Sequence, residues 1–375
     1  MKRLLLAGGG HAQLAVLHAL ARARPGGLEA CLVTPSRYAL YSGMLPGWIA
    51  GHYPLQALRV DLAPLCAAAG VTLIEGQLAG LQADRRRAVL GDGRALDYDL
   101  LSLDVGSEID LSWFALLGDR ALPVRPLAHF VERWSAWRAG VSAHGPVRLA
   151  VVGGGAAGFE LALAARTALR QVGQVELTLV AGDSGLLPGH AAGVRRRAQC
   201  CLERAGIVLE RQVAAGAAKG LLLADGRSLQ PDLALIATGG RAPAWLAGSG
   251  LVLDERGFVA VDACHRSLSH AQVFAAGDVC GRTDVALAHS GVHAVHAGPV
   301  LAHNLLASLS GGRLRAYRPR RRSLYLLACG AQHAIVSWGG LSAEGGWAWR
   351  WKDAIDRRFI ARQQWPADAI WTEYA

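Results

Sequence analysis

Leu4 to Leu17 read LLLAGGGHAQLAVL, and the fold follows from how this stretch is parsed. An apolar run, Leu4 to Ala7, enters three glycines, Gly8, Gly9 and Gly10. Leu14, Val16, Leu17 and Leu20 then recur at helical spacing, so the stretch is strand, tight turn and helix. Glycines let a backbone approach a pyrophosphate, and a helix N-terminus offers it unpaired N–H groups and a positive dipole end. The G-x-G-x-x-G pattern is incomplete, because Gln13 stands where a third glycine would bring helix and strand together. A single such copy is also compatible with a ligand-free βα turn.

The pattern returns complete at Leu149 to Leu161, LAVVGGGAAGFEL, with Gly153, Gly155 and Gly158 in the three glycine places. One dinucleotide needs one turn. Two turns imply two dinucleotides, or one site and one relic of duplication.

Composition agrees with a large, well-packed chain. Its 375 residues suggest two or three domains, and 52% hydrophobic against 18% charged content excludes disorder. No apolar run is long and clean enough to span a bilayer. Met1-Lys2-Arg3 and the following leucines imitate a signal peptide, but the run breaks at the glycines, His11 and Gln13. The expectation is a mature cytoplasmic protein. A net charge of +10, carried mainly by arginine, favours anionic cofactors, acidic lipid headgroups or nucleic acid, and no motif supports the last. Seven cysteines include no C-x-x-C, and the adjacent Cys200 and Cys201 read as packing residues. No metal-ligand spacing is present, so no metal is expected.

Along the chain, Leu28 to Thr34 is a strand whose end carries Thr34 in place of the usual ribose-binding acid. Arg37 follows, either over an adenine or near the phosphates, or as a solvated loop arginine. Tyr41 to Gly47 reads as a compact loop, Leu58 to Ala69 as a helix and Val71 to Glu75 as a strand. The strand Tyr98 to Val105 contains Asp104, a carboxylate that needs a partner and points to the ligand crevice. Pro123 to Gly145 is a crossover with a helix bearing Phe130, Trp134 and Trp137. Glu160 is placed in the first turn of the second fingerprint's helix. Val175 to Val180 again ends without an acid, and Leu233 to Gly239 closes this unit. Val273 to Val279 delivers Gly277 and Asp278, and a helix starts near Ala288-His289-Ser290. Strands at Leu324 to Ala328 and Ala334 to Trp338 precede a tryptophan-rich end.

Four motifs in this order resemble the pyridine nucleotide-disulfide oxidoreductase superfamily: Gly8-x-Gly10, Gly153-x-Gly155-x-x-Gly158-x-Glu160, Ala237-Thr238-Gly239 with Pro243 beyond, and Ala276-Gly277-Asp278. The resemblance covers roughly the first 310 residues. It implies an α/β fold of two Rossmann-like domains with the NAD domain inserted in the FAD domain, plus a small C-terminal α+β region. The implied boundaries are 1–122 and 250–315 for FAD, 123–249 for NAD(P) and 316–375 for the C-terminal region. It implies FAD contacts from Gly8, Gly10, His11, Thr34, Arg37, Ser42, Asp104, Gly277, Asp278 and Ser290. NADH or NADPH would lie against Gly153, Gly155, Gly158, Glu160, Thr238 and Gly239. Within the superfamily the chain is similar to type II NADH:quinone oxidoreductases. The segments GGGHAQLAVL, YSGMLPGWIAGHY, LSLDVGS and WKDAIDRRF resemble a bacterial branch whose members stand alone or precede selenophosphate synthetase.

Departures narrow the chemistry. Disulfide reductases of the superfamily carry a redox cysteine pair in the first domain, and single-cysteine peroxidases carry Ser-Cys-Gly-Met where this chain has Ser42-Gly43-Met44. The thiol is missing, which argues against disulfide or peroxide chemistry through a cysteine. Cys329 occupies the C-terminal place of a sulfide:quinone oxidoreductase cysteine but lacks an evident partner. The missing acids leave NADH against NADPH open. The expected reaction is hydride transfer from NAD(P)H to FAD and onward to an external small-molecule acceptor, a quinone. The Tyr41 to Trp48 loop and the C-terminal segment would shape the opening, with Glu160 and His289 as candidate catalytic groups and His293 and His296 nearby. Alternatives are a flavoprotein of selenium metabolism and a flavin-bound, non-catalytic sensor or partner.

Near the end, Trp351, Ile355, Phe359 and Ile360 recur at helical spacing, with Lys352, Asp353, Asp356, Arg357 and Arg358 assigned to other, solvated faces. Upstream stand Arg318, Arg320, Arg321 and Arg322. This helix either rests on an anionic bilayer at the inner face of the cell membrane, or packs on the FAD domain or a second subunit of a homodimer. Packing is favoured, since Asp353 and Asp356 dilute the positive face.

Overall fold

A computed structural model describes residues 1–141, 146–320 and 322–365. Arg321, the end of the Pro123 to Gly145 crossover and the chain beyond residue 365 lie outside the described residues.

Two parallel five-stranded sheets organise the molecule. In the first, the order is Val273–Ala275, Leu100–Leu103, Lys2–Ala7, Leu28–Thr34, Val71–Glu75. Its central strands are apolar along their inner lengths, Leu4 to Ala7 and Leu100 to Leu103 with Ser102 the exception, because both faces are covered. The two-residue side-chain period sends Leu4 and Leu6 to one core and Leu5 and Ala7 to the other. Helices His11–Ala23, Leu62–Ala69 and Gly291–Ser310 cover the first face. The antiparallel strands Leu78–Gln82 and Arg87–Leu90 contribute to the second.

Gln13 explains why the third glycine of the first turn is dispensable. It is fully buried; its Nε2 donates to Ser102 O at 2.9 Å, and Ser102 Oγ donates to its Oε1 at 3.1 Å. The side chain thus fastens helix to strand where a glycine would have allowed contact.

The second sheet runs Ala121–Pro123, Leu233–Ile236, Val147–Val152, Val175–Val180, Ile207–Glu210. All its strands fall in sequence between Leu100–Leu103 and Val273–Ala275 of the first sheet. A three-stranded antiparallel sheet, Leu324–Ala328, Ala334–Trp338 and Leu341–Gly345, leads into the helix Gly346–Gln363.

Several expected elements shift. Tyr41 to Gly47 is not a loop: a 3₁₀ turn, Ser42–Met44, runs into a short helix, Leu45–Ile49. The helix expected from Leu58 begins at Leu62, because Arg59–Asp61 pairs as a strand with Tyr38–Leu40 and the Asp61 carboxylate accepts the Ala63 N–H at 3.0 Å. The strand around Asp104 is confined to Leu100–Leu103. The strand before Asp278 stops at Ala275, since Gly277 turns the chain at φ 71°.

Candidate functional site

At the first turn Gly8 has φ 95°, and a Cβ there would strike the Asp104 carbonyl. A Cβ on Gly10 would strike the Asp104 carboxylate itself. Asp104 is buried, and its Oδ2 accepts the N–H groups of Ala12 at 2.9 Å and Gln13 at 3.0 Å. The partner that sequence reasoning sought for this carboxylate is therefore the helix N-terminus behind the glycines. Burial pushes its pKa up to about 7 against the pull of the two amides, and the charge of Asp278 adds to the rise. Thr34 is buried beside Gly9, at the end of its strand. Arg37 is tied to Asp61, with Nε on Oδ1 at 2.7 Å, which keeps Asp61 on the helix it caps. Ser42 is exposed and lies by Gly291, at the start of the helix Gly291–Ser310.

That helix opens beside Asp278. An Arg125 guanidinium pairs with Asp278 Oδ2 at 2.8 Å and also donates to the Ser107 hydroxyl. Arg125 went unnoticed in the sequence, since it lies in the link before the second sheet's helix Leu127–Gly140 and belongs to no motif. A solvent-open cleft is lined by Asp278, Cys280, His289, Ser290, His293 and Tyr317, among others. Ser290 is the N-cap residue, so the helix starts slightly later than expected. His289 Nδ1 and Ser290 Oγ are buried without a partner among the described residues, as is His11 Nε2. Buried polar atoms are ordinarily paired, so three orphans around one acidic–basic pair fit a group rich in hydroxyl and carbonyl functions. Burial lowers His11 to about 4 and lowers His289 as well, so both imidazoles are neutral at pH 7. His289 meets the Phe258 ring edge-on at 4.3 Å, and His293 Nδ1 lies 3.3 Å from the Tyr317 hydroxyl.

In the second turn the glycines divide their work. Gly153, at φ 134°, would drive a Cβ into the Ala237 carbonyl; Gly158 would meet the Gly153 carbonyl. Gly155 differs: a Cβ there has no atom within 4 Å. It caps the helix Ala156–Ala168 and faces open space, the geometry of an anion seat. Thr238 and Gly239 follow the strand Leu233–Ile236 that neighbours this turn. Glu160 is the fifth residue of the helix, not in its first turn, because the helix begins at Ala156, ahead of the third glycine. Its Oε1 accepts the Ala328 N–H at 2.7 Å, and burial lifts its pKa to about 7.

The C-terminal helix closes over the first turn. Phe359 stacks on Tyr41 at 4.4 Å, His11 lies against both rings, and with Leu14, Leu40 and Val60 they line a narrow, solvent-open slot. Two expectations are corrected here. Lys352 and Asp356 do not sit on a solvated face. They form a buried ion pair at 2.7 Å, with Lys352 also donating to Gly43 O at 2.7 Å and Asp356 Oδ1 accepting from the Tyr41 hydroxyl at 3.0 Å. Each charge is offset by the other and by a second polar partner, which makes the burial tolerable. The expected single apolar stripe also divides. Trp349, Phe359 and Ile360 pack inward, whereas Trp347, Trp351 and Ile355 are exposed beside Arg350 and Arg358.

Comparison with known proteins follows this geometry. The sequence profile described as pyridine nucleotide-disulphide oxidoreductase matches residues 2–298. The biphenyl dioxygenase system ferredoxin–NAD(+) reductase component of Paraburkholderia xenovorans is 31% identical over 243 residues, 62% of this chain and 55% of that protein. Dihydrolipoyl dehydrogenase of Pseudomonas aeruginosa is 30% identical over 189 residues, 46% of this chain and 36% of that one. The chain thus spans about half or less of the length of these curated relatives. The sulfide:quinone oxidoreductase structure from Aquifex aeolicus superposes with a TM-score of 0.80 at 16% identity, covering 97% of this chain and 91% of that one, which shows a shared fold.

Proposed function

We propose that this chain, which belongs to the pyridine nucleotide-disulphide oxidoreductase family, is an FAD-dependent NAD(P)H dehydrogenase that delivers electrons to a quinone. Family members use FAD with NADH or NADPH. The observation that carries the quinone reading is the Tyr41–Phe359 slot beside the first turn. It is apolar and aromatic, and the turn Ser42–Met44 holds no thiol that could relay electrons.

In this reading Gly8 and Gly10 let the backbone approach the FAD pyrophosphate, and Asp278, held by Arg125, receives a flavin side-chain hydroxyl. Ser290 and the N-terminus of Gly291–Ser310 face the ring edge, where the helix dipole stabilises negative charge. Gly155 seats the nicotinamide dinucleotide's pyrophosphate. The bound flavin supplies two-electron redox chemistry, so the protein's task is alignment and electrostatics. Glu160, pushed up to about 7 by burial, lies between the second turn and the C-terminal strand, where it accepts the Ala328 N–H. Residues 1–122 and 250–315 supply the FAD unit and 123–249 the NAD(P) unit, except that Ala121 and Leu122 already pair in the second sheet. The exposed Trp347, Trp351 and Ile355, flanked by Arg350 and Arg358, would rest on an anionic bilayer. No helix among the described residues is long and apolar enough to cross a membrane.

Anaerobic titration of the purified protein with NADH and NADPH, followed by a short-chain quinone, tests the reading. Bleaching by either nucleotide and rapid reoxidation by quinone support it. Reoxidation by a ferredoxin but not by quinone refutes the acceptor. That second reading is favoured by the identity to a ferredoxin reductase component and by the net charge of +10. A selenite arm tests the selenium alternative, and salt-sensitive sedimentation with anionic vesicles tests the membrane face.

A further inference from the structure

Away from both dinucleotide turns, the helix Ala192–Arg204 meets the C-terminal sheet. Cys201 Sγ lies 3.6 Å from Glu344 Oε2, and His333 Nε2 lies 3.4 Å from the same oxygen. The thiol sulfur, imidazole nitrogen and carboxylate oxygen all fall within 4.8 Å of one another. We propose that Cys201, His333 and Glu344 form a three-residue Zn²⁺ site whose fourth position is left to water.

Two of the separations match those of a tetrahedral ion. With Zn–S about 2.3 Å and Zn–N or Zn–O about 2.0–2.2 Å, sulfur and oxygen ligands sit about 3.5 Å apart, and nitrogen and oxygen ligands about 3.3 Å. The Cys201–Glu344 and His333–Glu344 pairs are already there. Cys329, whose thiol donates to Leu327 O at 3.4 Å, shares with His333 a hairpin turn closed by Cys329 N–H to His333 O at 2.8 Å, which places a second thiol beside the cluster. A thiol, an imidazole and one carboxylate make a borderline donor set that selects zinc over magnesium or calcium.

A cation already bridges two of these donors. Arg204 Nη2 lies 3.2 Å from Cys201 Sγ and 3.3 Å from Glu344 Oε2. Its side chain is 59% exposed and long enough to swing into solvent, so it is a displaceable stand-in for the metal. Arg197, 3.4 Å from Glu344 Oε1, stays as the carboxylate's other partner. A bound ion would clip helix Ala192–Arg204 to the hairpin that begins at Ala328, the residue whose N–H holds Glu160. The site is independent of the identity of the electron acceptor.

The test uses the full-length, FAD-loaded protein, reduced with a phosphine, stripped with a chelator and titrated with Zn²⁺; Co²⁺ difference spectra report thiolate ligation. The parent should bind one ion per chain with a thiolate-to-cobalt absorption band. Cys201→Ser and His333→Gln should each weaken Zn²⁺ binding by about 100-fold or more at unchanged FAD content. Cys200→Ser, altering the exposed neighbour, should bind as the parent does. Arg204→Ala should bind Zn²⁺ more tightly, because it removes the competing cation. Equal zinc binding by the parent and the Cys201→Ser/His333→Gln double variant would overturn the proposal. So would absence of uptake in Arg204→Ala, or a Cys201–Cys329 disulfide in the isolated protein with no metal uptake once it is reduced.

Discussion

Gly155→Val separates the ligand role of the second turn from its structural role. Gly155 has φ −73° and ψ −178°, extended backbone that valine adopts readily, and its Cβ would meet no atom within 4 Å. The folding cost is then limited to a poorer helix cap, about 1 kcal/mol. For a dinucleotide the same three carbons occupy the pyrophosphate seat. Losing two hydrogen bonds to a charged group, at about 1.5–3 kcal/mol each, weakens binding by about 3–6 kcal/mol, or roughly 10²–10⁴-fold. Gly158→Val is the contrasting case. Its Cβ would collide with the Gly153 carbonyl, so the backbone must move, at a cost above the roughly 1–3 kcal/mol of an overpacked core. Flavin absorbance gives FAD content, flavin fluorescence on heating gives stability, and stopped-flow bleaching at sub-saturating NADH and NADPH gives nucleotide engagement. Gly155→Val should keep its flavin and its melting temperature within a few degrees while bleaching collapses. Parental bleaching rates, or a stability loss equal to that of Gly158→Val, would refute the division of roles.

Asp278→Ala should weaken FAD retention by about 1.5–3 kcal/mol, a charge-assisted hydrogen bond, and parental affinity in equilibrium dialysis would count against the flavin assignment. Asp356→Ala strands the largely buried Lys352 ammonium and should cost the C-terminal helix about 3–5 kcal/mol, raising hydrogen exchange across Gly346–Gln363 by about 10²–10⁴-fold. The Lys352→Met/Asp356→Leu pair should recover most of that loss, and unchanged exchange in the single variant would show the ion pair to be irrelevant. His265 is buried with Nδ1 3.0 Å from Ala275 O, and burial holds its pKa near 4, below the unfolded 6.5. The native state therefore binds fewer protons, so this contribution is full above pH 6.5 and lost as pH falls towards about 4. Asp104, raised to about 7, has the opposite sign and loses its contribution as pH rises from about 4 to 7. Urea unfolding between pH 7 and 5 should show His265→Asn to be less acid-sensitive than the parent, and identical slopes would disprove the link.

Sequence alone determined what depends on neighbours along the chain. Apolar runs entering glycines specify strand, turn and helix, because the left-handed φ of Gly8 at the end of the strand is a local requirement. The repeat of that unit at Gly153 made two parallel sheets legible before any contact was known. The tertiary structure decided everything that depends on which surfaces meet. Gln13 looked like a defect in a motif until Ser102, 89 residues away, was seen to receive it. Asp104 and Asp278 were legible as carboxylates at strand ends, but Ala12, Gln13 and Arg125 as their partners were not. Periodicity showed that the last helix has apolar positions without showing which face turns inward. A rotation of about 100° per residue separates the packed Trp349 from its exposed neighbours two positions to either side, Trp347 and Trp351. Only packing against Tyr41 and Gly43 selects the face that buries Lys352 and Asp356. Cys201 and Glu344 meet across 143 residues of chain, and no linear spacing can express that contact, because it is created by docking two separately folded elements.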